Sequence, residues 1–174
     1  MKTILLMRHS KAGEGKAPLP DFDRILTHKG IAMARQTAQC LKSLEVCIDR
    51  IIASSALRTK QTAEIVAMEA CQAVPVVLLD GLYLAPADAF AKSIAEQCFE
   101  DESCVLVVGH NPGIADLMCR WADRSLDVPT SMIAIYQSSA AEWNCISAES
   151  GVPRLTAVIQ KGRLIGQEPS SEFP

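Results

Sequence analysis

The run Lys2-Thr3-Ile4-Leu5-Leu6-Met7 stops abruptly at Arg8-His9-Ser10-Lys11. From Thr3 to Met7 it carries no charge, the pattern of a strand buried on both faces of a sheet. Such a strand commits the chain to layers, because something apolar must lie above it and below it. It also places Arg8 and His9 at the strand's C-terminal end, the edge where open α/β sheets bind ligands. A histidine beside a permanent cation suits an anion better than a metal ion. Arg8-His9 therefore reads as the start of a phosphate site, set against the plainer reading of a strand that ends in two polar residues.

The rest of the chain alternates strand and helix. A Gly- and Pro-containing loop from 13 to 20 leads to Asp21-Phe22-Asp23-Arg24, and Thr27 is placed to cap a helix over about 28–44. Ile31, Ala34, Ala38 and Leu41 share one face of that helix. Ile48–Ala53 reads as a second buried strand, and a helix over about 56–71 follows it. Pro75–Leu79 reads as a third strand, and Pro86 opens a helix to about Glu100. Cys104–Val108 reads as a fourth strand, and a helix then carries Ile114, Leu117, Met118 and Trp121. Beyond Thr130, Met132–Tyr136, Trp143–Ser147 and Leu155–Ile159 read as further strands, with room for an antiparallel part among the last of them. The expected fold is a three-layer α/β/α sandwich with a mostly parallel central sheet, a single domain over 1–165 with a frayed tail over 166–174.

Length and charge narrow the function. The chain's 174 residues suffice for one domain with a sizeable core, and a net charge of −3 argues against nucleic acid. Seven scattered cysteines without a C-x-x-C read as reduced, mostly buried small residues. No run is long enough for a signal peptide or a membrane span, so a cytoplasmic monomer without membrane or nucleic-acid partners is expected.

Three strand ends supply chemistry. The first gives Arg8 and His9, the second gives Ser54-Ser55-Ala56-Leu57-Arg58, and the fourth gives Gly109-His110-Asn111-Pro112-Gly113. In a parallel sheet these lie on one edge. Two guanidiniums, two imidazoles and a helix N-terminus would then meet around an oxyanion. Each element alone has an ordinary explanation, as a solvated arginine or a loop histidine.

Four segments together resemble the histidine phosphatase superfamily, also called phosphoglycerate-mutase-like, in its small SixA-like branch of phosphohistidine phosphatases. They are Leu6–Ala12, Asp21–Gly30, Ser54–Glu64 and Val107–Gly113. Ser10 departs from the glycine that the broad superfamily carries there. The resemblance implies the phosphoglycerate-mutase-like fold without the large helical insertion of bigger members. It implies His9 as nucleophile, with Arg8, Arg58 and His110 binding the phosphoryl group and Arg24 as a further anion contact. Asp80, just after the third strand, matches the place of a general acid in larger members, and is equally a turn aspartate before Gly81. Asp21 reads as orienting its neighbours or as a turn residue, and His28 as surface. No metal or other cofactor is implied.

Neutral imidazole is a nucleophile near neutral pH and would form a phosphohistidine that water hydrolyses, with arginines neutralising the equatorial oxygens. Rival signatures are missing. No cysteine has an arginine six residues later, Gly13-Glu14-Gly15-Lys16 lacks the first glycine of a P-loop, and Asp21-Phe22-Asp23 follows a loop instead of a buried strand. The leading reading is a phosphatase acting on phosphohistidine in a signalling or phosphotransfer protein. The alternatives are a phosphatase of a small phosphorylated metabolite and a non-catalytic phospho-ligand binding module.

Overall fold

The computed structural model describes residues 1–14, 20–70, 74–146 and 151–167. The Gly/Pro loop at 15–19, Cys71 and the tail at 168–174 lie outside the described residues. The strands are β1 (Lys2–Arg8), β2 (Arg50–Ser54), β3 (Val76–Leu79), β4 (Cys104–Gly109), β5 (Ile133–Ser138), β6 (Arg154–Gln160) and β7 (Arg163–Gln167). The helices are α1 (His28–Ser43), α2 (Leu57–Ala70), α3 (Ala87–Gln97) and α4 (Gly113–Ala122).

One sheet orders the strands β3-β2-β4-β1-β5-β6-β7. β1 to β4 pair in parallel, β5 and β7 run back against them, and β6 rejoins their direction. β1 and β4 sit in the middle, which explains their unbroken apolar sequence. Ile4, Leu6, Val105 and Val107 face the core under α3 and α4, with Phe90, Ile94, Leu117 and Trp121. Leu5, Met7, Leu106 and Val108 face the opposite core, with Ala38 and Leu41 of α1 and Ala63 and Val66 of α2. The period of two along a strand thus feeds two cores at once. Each fully buried aliphatic side chain contributes roughly 1.5–3 kcal/mol before entropy is charged against it. Thr27 caps α1 as expected, its hydroxyl accepting from Gly30 N–H at 3.0 Å.

Three expectations change. Trp143–Ser147 is not a strand; the described part is a 3₁₀ turn over Trp143–Cys145. Its one inward side chain, Trp143, donates its indole N–H to the carbonyls of Phe99 at 2.9 Å and Glu102 at 3.1 Å, tying the turn to the α3–β4 connection. Arg163–Gln167 forms a seventh strand through a turn at Lys161-Gly162, so Gly166 and Gln167 belong to the sheet and not to a tail. The cysteines are less buried than expected: Cys104 is buried, whereas Cys47 and Cys145 are exposed. No helix among the described residues is long and apolar enough to cross a membrane.

Candidate active site

The parallel order β2-β4-β1 delivers three strand ends to one edge. Arg8 stands opposite Gly109 in the ladder, and His9 N–H donates to Gly109 C=O at 3.1 Å. His9 and His110 therefore follow matched positions on adjacent strands, and their rings lie 5.2 Å apart. Ala53 of β2 pairs with Val108, which brings Ser54 to within 2.9 Å of the His110 ring. Arg58 enters from the first turn of α2. The cleft at this edge has a volume of about 350 Å³. Arg8, Lys11, Arg24 and Arg58 line it together with His9 and His110. Asp21, Ala12, Leu84, Asn111 and Thr130 complete the wall.

Backbone proximity explains why glycine stands at two supports of this edge. A Cβ on Gly30 would lie 2.0 Å from the Lys11 carbonyl oxygen, and one on Gly113 would lie 1.9 Å from the Ala85 carbonyl oxygen. Without side chains there, α1 and α4 start against the loops that carry Lys11 and Leu84.

Hydrogen bonds set the state of each imidazole. The Ser10 carbonyl lies 2.7 Å from His9 Nδ1, so Nδ1 must carry the proton and donate it. Nε2 is left with a free lone pair. Burial, then the Arg58, Arg8 and Arg24 guanidiniums, push His9 down to about 4, against a partial opposite effect of the Ser10 carbonyl. The ring is neutral at pH 7. His110 is pushed down to about 3, first by burial and then by Arg58 and His9. Ser54 Oγ receives the Ala56 N–H at 3.4 Å, and His110 Nε2 is the acceptor available for its own proton. With the Ser54 hydroxyl as donor to Nε2, His110 carries its proton on Nδ1, which is buried and has no partner among the described residues. A donor held like this is matched by an oxyanion.

Asp21 organises the cations. Its carboxylate accepts from Arg24 Nη1 at 2.7 Å, from Arg58 Nη2 at 2.8 Å and from the Tyr83 hydroxyl at 2.8 Å, and its carbonyl accepts from Arg58 Nη1 at 2.6 Å. These partners, Arg24 first and then Tyr83 and Arg58, hold the carboxyl well below the usual carboxylate range. The orienting reading of Asp21 therefore has its geometry, and Tyr83 joins the site as a residue that the sequence did not single out. Arg8 is anchored by donating to the Val128 carbonyl at 2.8 Å, and Asn111 Nδ2 donates to the same oxygen. Beneath His9, the Ser10 hydroxyl bonds that of Ser131, and Ser10 N–H donates to Thr62 Oγ1 at 3.1 Å. The serine that replaces the expected glycine is thus buried and fully paired.

Arg8, His9, Arg24, Arg58 and His110 come together as the sequence implied. Asp80 does not join them. It follows β3, the outer strand beyond β2, and its carboxylate accepts the Ser55 hydroxyl at 2.5 Å, outside the residues that line the cleft. His28 is exposed at the start of α1, as expected.

Residues 4–83 match the model of the histidine phosphatase superfamily (branch 1). A protein of Nakamurella multipartitia provisionally named phosphohistidine phosphatase SixA shares 27% identity over 91% of this chain and 95% of its own, with a TM-score of 0.77. One from Agrobacterium tumefaciens, also provisionally named SixA, shares 28% over 79% of this chain and 92% of its own, with a TM-score of 0.72. The family match over residues 4–83 and the likeness to these two structures together support the histidine phosphatase superfamily, SixA-like branch. Phosphatase chemistry is the coarse activity that these likenesses support. A protein histidine phosphatase SixA solved with tungstate has the same fold, with a TM-score of 0.75 at 23% identity. An uncharacterised chloroplast protein of Arabidopsis thaliana is 27% identical over 86% of this chain and 72% of its own length.

Proposed function

We propose that this histidine phosphatase removes the phosphoryl group from phosphohistidine on a signalling or phosphotransfer protein in the cytoplasm. His9 Nε2 attacks phosphorus, the P–N bond breaks to a substrate imidazole that carries a proton on its other ring nitrogen, neutral imidazole leaves, and a phosphohistidine forms on His9. Water then attacks the same phosphorus and releases inorganic phosphate with neutral His9. Arg8, Arg58 and Arg24 neutralise the phosphoryl oxygens, and His110 Nδ1–H donates to one of them. The tungstate held by the SixA relative supports such an oxyanion site.

One observation carries the substrate class. Asp21 is the carboxylate among the described residues lining the cleft, and its three donors hold it ionised. It has no proton to give a leaving group, and His110 is neutral. A substrate imidazole whose other ring nitrogen already carries a proton, as that of an imidazole with an ordinary pKa of about 6.5 can near neutrality, leaves as the neutral ring without such help, whereas an alkoxide does not. Among the described residues the intervals between Arg58, Asp80 and His110 are filled by α2, β3, α3 and β4, with no inserted helix over the site there. That openness suits a side chain presented by another protein. Asp80 serves as acid only for a leaving group that reaches beyond the cleft.

The test is single-turnover dephosphorylation of a phosphohistidine protein beside a panel of sugar phosphates, quenched in base. Acid-labile phosphate on His9 and faster turnover of the protein substrate are expected, with Asp80→Asn leaving that rate nearly unaltered. A sugar phosphate turned over faster than every phosphohistidine protein tested would favour the metabolite phosphatase.

A further inference from the structure

Leu84 is the large apolar side chain in a cleft otherwise walled by charged groups, imidazoles and small side chains. It is 52% exposed. Its backbone is left-handed, with φ of +49°. That conformation suits glycine or asparagine and strains a leucine. Exposure and strain both disfavour leucine for the fold itself, and strained positions of this kind cluster where a ligand is clamped.

The strain is held from both sides. Tyr83 N–H donates to the Asp80 carbonyl at 3.0 Å, and the Tyr83 hydroxyl is fixed on Asp21. On the other side the Ala85 carbonyl abuts Gly113, where a Cβ would lie 1.9 Å away. The turn thus displays one aliphatic side chain at the mouth of the cleft. A phosphoryl group offers nothing to a leucine, since its oxygens are matched by the arginines and His110. The contact must be made by what the phosphoryl group is attached to.

We infer that Leu84 is a specificity residue which packs on an apolar side chain flanking the phosphorylated residue of a protein substrate. The inference rests on the proposed protein substrate and adds how that substrate is chosen over small phosphorylated compounds. A polyhydroxylated sugar has no apolar surface to bury there. A protein surface has one, and burying it excludes water around the reacting group.

The experiment compares kcat/KM of wild type, Leu84→Asn and Leu84→Met on a phosphohistidine protein and on phosphoramidate, with thermal melting of all three. Leu84→Asn should lower kcat/KM on the protein about tenfold, far more than on phosphoramidate, and mainly through KM. Its melting temperature should equal or exceed that of wild type, because asparagine tolerates the left-handed backbone. Leu84→Met should restore the protein rate. Equal losses on both substrates, or a lower melting temperature with parallel losses, would make Leu84 a structural residue and overturn the inference. So would an unaltered ratio between the substrates. A wild-type enzyme that hydrolyses phosphoramidate but no phosphohistidine protein would overturn the proposed function as well. The wild-type rates therefore judge that function, and the variant ratios judge Leu84.

Discussion

The protonation of His9, the proposed nucleophile, is the most direct test of the site, and the perturbation is a proton. His9 is pushed down to about 4, by burial first and then by the guanidiniums of Arg58, Arg8 and Arg24. A displacement from about 6.5 to about 4 corresponds to roughly 3 kcal/mol of disfavoured imidazolium. At pH 5 an imidazole titrating at about 4 is roughly 90% neutral, and one titrating at about 6.5 is roughly 3% neutral. The difference is large enough to measure directly. Carbon-detected NMR of the imidazole Cε1–H follows each ring through an acid titration, with near-ultraviolet dichroism confirming the fold at each point. The chain has three histidines, so His9→Gln and His110→Gln assign the signals. His9 should titrate near 4 and His110 near 3. Tungstate should raise both midpoints, because an anion in the cleft favours imidazolium. A His9 midpoint at about 6 or above would show that neither burial nor the three guanidiniums act on the ring, and would refute the reasoning.

Stability should fall in acid through the same rings. Both titrate lower in the folded chain, so below about 6.5 the unfolded chain binds more protons; stability is full above that pH and is lost toward about 4 for His9 and about 3 for His110, at most ~1.4 kcal/mol per pH unit per ring, read by denaturant melts. Gly30→Ala should cost about 1–3 kcal/mol in thermal melting, since the new methyl would sit 2.0 Å from the Lys11 carbonyl oxygen, a backbone atom that cannot swing away. Asp21→Asn should lower kcat/KM roughly 10- to 100-fold while costing only about 1–2 kcal/mol of stability, because Arg58 loses its charged partner but water reaches Asp21, 44% exposed. An unaltered kcat/KM in that variant would deny Asp21 its orienting role.

The sequence alone determined the parts whose cause is local. An uncharged run such as Thr3–Met7 has to be covered on both faces, and the structure covers it with α3 and α4 on one side and α1 and α2 on the other. The Arg8-His9 and Gly109-His110 strand ends then had to share an edge once β1 and β4 paired in parallel. The strand expected at Trp143–Ser147 failed because a single long-range anchor, the indole N–H on the Phe99 and Glu102 carbonyls, outweighs local β-propensity. Other features depend on distant segments meeting and carry no local signal. Asp21 gathers Arg24, Arg58 and Tyr83 from three places in the chain. Asp80 lies near the site in sequence order, yet the outer position of β3 turns its carboxylate to Ser55. The buried pairing of Ser10 with Ser131 joins residues 121 positions apart. Residue types and spacing name the groups that can do the chemistry; only tertiary contact sets their protonation, direction and partners.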